Sequence, residues 1–213
     1  FAENGRLLDS QGRITLDTPE ALRALENYRE TYSYSDRTIY DFWKNALEGF
    51  ADGTAAMTVV FINYASHILN SQMSRIAGKL GFAPVPGGKP LLGGGVIGIA
   101  QSCTCPAAAC KFLEWLYADL VAPVFTMLGG LSPCRSAYSN RDISEQYPWL
   151  STARKSFPTA QRRSNSTYYQ NFSELQLETI LAAHVQQAVL GVCSPEEALK
   201  QAQEDCNRYF QPW

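Results

Sequence analysis

The chain has 213 residues, enough to bury a sizeable core as one large domain or two small lobes. With 18 Lys and Arg against 20 Asp and Glu it is close to neutral, which argues against a nucleic-acid footprint or an anionic-membrane patch. Hydrophobic residues make up 46% and aromatics 12%, a globular composition, and no apolar run approaches the roughly 20 residues of a transmembrane helix.

Elements read in chain order as a mixed α/β pattern. RITL is a short alternating strand, followed by Thr18 as N-cap and Pro19 at the first helical position. Leu22, Leu25, Tyr28 and Tyr32 then recur at helical spacing, predicting a helix that buries one stripe. A second helix spans about 41–50 and ends through Gly53, at a turn that tolerates positive φ. Ala55 to Phe61 reads as a buried strand that runs into Asn63 and Tyr64. Helix is predicted over 64–78, a short strand over 80–85, then the turn PVPGGKP. Residues 106–128 are largely helical by composition, interrupted near Pro123. A long helix follows over 173–190, and Ser194-Pro195-Glu196-Glu197 forms a capping box for a last helix through Tyr209.

Cys103, Cys105, Cys110, Cys134, Cys193 and Cys206 are too sparse for a small disulfide scaffold. The C-x-C-x4-C run lacks the paired spacing of structural zinc sites, and neither His67 nor His184 is near it in sequence. Unpaired, mostly buried thiols and no metal site are the expectation, which favours a reducing compartment. Catalytic signals are equally thin. Gly93, Gly95 and Gly98 fit G-x-G-x-x-G, but the apolar VIGIA follows the glycines where a helix should open. GGKP has Pro90 where a phosphate loop needs Ser or Thr. No nucleophile, base and orienting group can be assembled, so no enzyme activity and no cofactor are expected. Arg162 and Arg163 read as a solvated pair.

Four stretches, in order, resemble one family. EGFADGTAAM is similar to the F-x-x-G-[KT]-A-A-M element of family 1 extracellular solute-binding proteins, the sugar-type binding components of ABC importers. GFAPVPGGKPLLGGGVIGIA resembles that family's G-x-x-P-x-P-G-G element with its Gly-Gly turn and strand. AAACKFLEWLYADLVAPVFTMLGGLSPCRSAY is similar to its next helix and G-G-x-x-P-x-R-x-x-Y segment. YYQNFSELQLETILAAHVQQAVLGVCSPEEALKQAQEDC resembles its closing helices.

The resemblance implies the C-terminal lobe of a two-lobe, type II periplasmic-binding-protein-like α/β fold, plus a crossover segment of the N-terminal lobe. Residues 1–90 and 135–213 would build the C-terminal lobe, and 91–134 would pass back to the N-terminal one. It implies a small-molecule solute, a carbohydrate or similar polar compound, and ABC permease subunits as partners, with no nucleic acid contacted. Trp43, Asn63, Tyr64, Gly94, Gly95, Tyr168 and Tyr169 are the ligand-binding residues it points to. Asn63 stands where sugar-binding relatives often carry a stacking Trp, offering hydrogen bonds in its place. The start at Phe1 is read as that of a fragment or processed product, and the resemblance implies an extracellular or periplasmic location with anchoring through a preceding lipoprotein segment. The alternative is a cytoplasmic sensing domain of a transcriptional regulator.

Overall fold

The computed structural model describes residues 2–35, 44–139, 141–162 and 164–213. In chain order the helices are α1 (Pro19–Tyr32), α2 (Lys44–Ala51), α3 (Ala65–Leu69), α4 (Pro106–Leu116), α5 (Val121–Met127), α6 (Ser136–Ser139), α7 (Arg141–Gln146), α8 (Pro148–Ser156), α9 (Glu174–Val189) and α10 (Pro195–Tyr209). Two short strands, β1 (Leu91–Leu92) and β2 (Gln161–Arg162), pair in parallel with Leu91 opposite Gln161. The chain divides into two compact units. One comprises Phe1–Asp36, Pro86–Gly93 and Ala160–Trp213, and the other Arg37–Val85 and Gly94–Thr159.

The first unit is built on α1, α9 and α10. Helix α1 starts as its sequence dictates: the Thr18 hydroxyl accepts from the Ala21 N–H, and Pro19 opens the first turn. Helix α10 starts the same way, with the Ser194 hydroxyl accepting from the Glu197 N–H. Buried Leu25, Ala188, Ala198 and Leu199 form one core cluster, in which small Ala side chains let the helices approach closely. A second cluster holds Ile14, Leu16, Tyr169, Leu177, Ala202, Cys206 and Phe210. Full burial of a side chain such as Leu177 stabilises by about 1.5–3 kcal/mol.

Ile14 to Leu16 do not join a sheet, contrary to the alternating pattern of RITL. Only an isolated antiparallel bridge, Leu8 with Ile14, forms there. Side chains take the place of a neighbouring strand. Gln203 on α10 accepts from the Leu16 N–H at 2.7 Å and donates to the Ile14 carbonyl at 3.1 Å, while the Tyr169 hydroxyl accepts from the Ile14 N–H at 2.9 Å. The buried backbone is satisfied without a ladder.

The second unit packs around Trp149, Leu150 and Ala153 of α8, with Ala137 and Tyr138 of α6, Ala122 of α5 and Ala65 of α3. Tyr138 donates to the Ser132 carbonyl at 2.9 Å and meets the Phe157 ring edge-on. Burial raises its phenol above the ordinary value. The helix expected over 64–78 stops at Leu69. Asn70 ends it, because its side chain accepts from the Gln72 N–H and its carbonyl from the Met73 N–H, a local turn that competes with continuing the helix. The break expected near Pro123 falls earlier, between α4 and α5, and Pro123 sits in the first turn of α5 where a missing N–H costs nothing.

Candidate functional site

The stretch from α2 into α3 carries two of the sequence-derived site residues. Helix α2 ends at Ala51, and Gly53 makes the turn with φ 80°, its N–H donating to the Phe50 carbonyl. Thr54 closes the turn, its N–H and hydroxyl both donating to the Gly49 carbonyl. The next segment differs from the buried strand expected over 55–61. It pairs with no strand among the described residues, and Met57 and Val59 are 87% and 75% exposed. The chain then tightens into a 3-10 turn, Ile62–Tyr64, which leads into α3. Asn63 is exposed there and Tyr64 half-buried.

A glycine turn lies against this segment, and it is one that the sequence reading did not select. Gly129 has φ 97°, and a Cβ on it would strike the Ser66 side chain, with the Asn63 carbonyl 3.8 Å away. At Gly130 a Cβ would run into the Phe125 ring. The Gly-Gly pair of LGGLSP is thus fixed by close approach as well as by backbone conformation. The signal for it was present in the motif. Gly94 and Gly95 lie in the same unit, in an exposed segment where an added Cβ would meet nothing within 4 Å. Trp43 lies outside the described residues.

Tyr168 and Tyr169 belong to the first unit and touch edge to face, with ring centroids 4.9 Å apart. Their roles differ. Tyr169 is buried against Phe172 and Phe210, which also touch each other, and spends its hydroxyl on Ile14. Tyr168 is 37% exposed and lines a cavity of about 500 Å³ together with Arg13, Asp17, Gln203 and Asn207. Asp9 fixes Arg13 there, bonding its Nε at 2.8 Å and accepting from the main-chain N–H groups of Gln11 and Arg13. The Arg13 main-chain bond is the chief reason that the Asp9 carboxyl sits below its ordinary value, and the Asp9 carboxylate in turn raises Arg13. An aromatic face bordered by amide, carboxylate and guanidinium groups can meet a polyhydroxylated molecule. Sequence reading found the aromatics and missed Arg13, Asp17, Gln203 and Asn207, which come together only when α10 docks on the 9–18 segment.

Among the described residues, no group of three or more His, Cys, Asp or Glu side chains could hold a metal ion. All six cysteines are free. Cys206 alone is buried, while Cys105 and Cys110 are exposed, so the expectation of mostly buried thiols is not met. The C-x-C-x4-C run falls on α4 and the loop before it, where Cys103 is half-buried and Cys105 and Cys110 are exposed. No helix among the described residues is long and apolar enough to cross a membrane.

A family model described as bacterial extracellular solute-binding protein matches residues 2–152. Among solved structures, maltose-bound MalE3 of T. maritima is similar with a TM-score of 0.79 and 23% identity, over 97% of this chain and 55% of that one. An ABC transporter solute-binding protein from Thermotoga lettingae, bound with α-D-tagatose, gives a TM-score of 0.70 at 26% identity, over 97% of this chain and 53% of that one. Another, from Agrobacterium radiobacter in complex with ribitol, gives 0.70 at 22% identity, over 98% and 54%. The chain spans about half the length of these structures.

Proposed function

The chain belongs to the bacterial extracellular solute-binding protein family and has its type II periplasmic-binding-protein-like fold, and from that premise we propose that it is part of the substrate-binding component of an ABC importer. The family match over residues 2–152 carries this reading. In it the protein works outside the cytoplasmic membrane, binds a carbohydrate or polyol between two lobes, delivers it to permease subunits and catalyses no reaction. Relatives caught with maltose, tagatose and ribitol support a polyhydroxylated solute.

In this reading residues 1–90 and 135–213 form the C-terminal lobe and 91–134 pass back to the N-terminal one, with Ala122 of α5 packed against α3, α6 and α8. The exposure of Val96, Ile97, Phe112, Trp115 and Leu120 supports a segment that is covered by another part of a larger protein. Asn63 and Tyr64 supply one wall of the ligand site, with Gly94 and Gly95 offering main-chain N–H groups. Trp43 and Tyr168 supply aromatic faces, and Tyr169 holds Tyr168 from behind. Stacking on each face contributes about 1 kcal/mol beyond burial, if sugar rings behave as aromatic partners do.

Calorimetric titration of maltose, D-tagatose and ribitol tests the assignment in the protein expressed from its complete reading frame. Tyr64→Ala and Trp43→Ala should each weaken binding of the preferred solute while leaving the ligand-free melting midpoint nearly unchanged. If they instead collapse the ligand-free protein and leave the affinity of the folded fraction intact, these are packing residues and the site lies elsewhere.

A further inference from the structure

A second concave surface in the first unit has a different chemistry. It is a cavity of about 330 Å³, at the small end of ligand sites, and it is lined by Arg6, Ser10, Arg162, Ser164 and Asn165 beside Asp9. Among the described residues Arg13, Arg23, Arg75, Arg141 and Arg208 face carboxylates, while Arg29, Arg135 and Arg154 face none but line neither cavity. Arg6 and Arg162 have no carboxylate partner among the described residues, yet they share this one cavity. Asp9 is the single carboxylate on its lining, and Arg13 together with two main-chain N–H groups already engages it. Two guanidinium groups are therefore left uncompensated in a chain whose net charge is −2.

The walls are built before any ligand arrives. On one side the 7–15 hairpin is closed by Thr15 N–H to the Leu7 carbonyl and Asp9 N–H to the Arg13 carbonyl. On the other, β2 sets Arg162 opposite Leu92, and the Ser164 N–H donates to Glu174 at 2.8 Å. The Ser166 hydroxyl joins the two sides by donating to the Gly12 carbonyl at 2.6 Å. Guanidinium forks suit oxyanions because their N–H groups match paired oxygens and stay charged at any working pH.

We propose that this cavity binds a small oxyanion, a phosphate or carboxylate group, between Arg6 and Arg162, with Ser10, Ser164 and Asn165 as neutral donors. The two cavities share Asp9, but Arg6, Ser10, Arg162, Ser164 and Asn165 line this one alone, so the proposal stands apart from the carbohydrate-binding reading. Sodium phosphate and sodium acetate are titrated into the protein expressed from its complete reading frame at constant ionic strength set with chloride, following the arginine Nε–H signals by NMR. One of the two anions should saturate those signals, and the tighter one names the group the site takes. Arg6→Gln and Arg162→Gln should each raise its dissociation constant at least tenfold, whereas Arg154→Gln, in the other unit, should leave it unchanged. Exposed and unpaired, both arginines can be replaced without loss of fold, which far-ultraviolet circular dichroism checks. The proposal is overturned if neither anion binds more tightly than chloride, or if Arg154→Gln weakens binding as much as the two cavity variants.

Discussion

Tyr169→Phe separates packing from ligand contact at a position where sequence alone suggested a ligand-facing ring. The substitution keeps the ring against Phe172 and Phe210 and removes only the hydroxyl that accepts from the Ile14 N–H at 2.9 Å. That N–H is buried with Ile14, which is 4% exposed, so water cannot take the oxygen's place. An unsatisfied buried donor costs about 1–3 kcal/mol. Taking ~2 kcal/mol and a urea m-value of ~2 kcal/mol/M, the unfolding midpoint should fall by about 1 M. Tyr168→Ala removes an exposed ring with one edge contact and should cost about 1 kcal/mol or less. Urea titration followed by far-ultraviolet circular dichroism reads both. If Tyr169→Phe leaves the midpoint where it was and weakens solute binding, the hydroxyl serves the ligand and the packing argument is wrong.

Three further outcomes follow from the same contacts. Gln203→Met should destabilise by about 1–3 kcal/mol, because the Leu16 N–H and the Ile14 carbonyl both lose their partner; an unchanged urea midpoint would mean that these groups reach water. Asp9 is held below its ordinary 3.8, so its contribution is fully present above that value and is lost as pH falls through the lower folded-state value. Asp9→Asn should therefore flatten the acid limb of a plot of melting midpoint against pH, and an unaltered slope would contradict this. Burial pushes the Cys206 thiol up to about 11, so iodoacetamide should label Cys105 and Cys110 first and Cys206 only on unfolding, as mass spectrometry of timed samples would show.

Helix starts were legible in the sequence because their causes are local. Thr18-Pro19 and Ser194-Pro195 each bring a cap and a first-turn proline together; the Thr18 cap forms as read, while of the capping box only the Ser194 hydroxyl half forms, the Glu197 carboxylate accepting from Gln201 instead. The 173–190 helix was legible from its length and periodicity, and it appears as Glu174–Val189. Extended segments were not legible in the same way. Ala55 to Phe61 and RITL carry strand-like patterns, but whether a ladder forms depends on a partner distant in sequence. For Ile14 to Leu16 that partner is a glutamine side chain 189 residues away from Ile14, which no local pattern announces. The cavity beside Tyr168 divides along the same line: its aromatics stand in a short motif, whereas Arg13, Asp17 and Asn207 are brought together only by the docking of α10.

The most direct test of solute binding is a thermal-shift panel of sugars and polyols on the protein expressed from its complete reading frame. A solute at 100-fold its dissociation constant adds about 2.7 kcal/mol of stability. The account predicts that a carbohydrate or polyol raises the melting midpoint in a saturable manner and is recovered chemically unchanged. A panel in which no such compound shifts the midpoint, or in which the bound sugar is turned over, would contradict it.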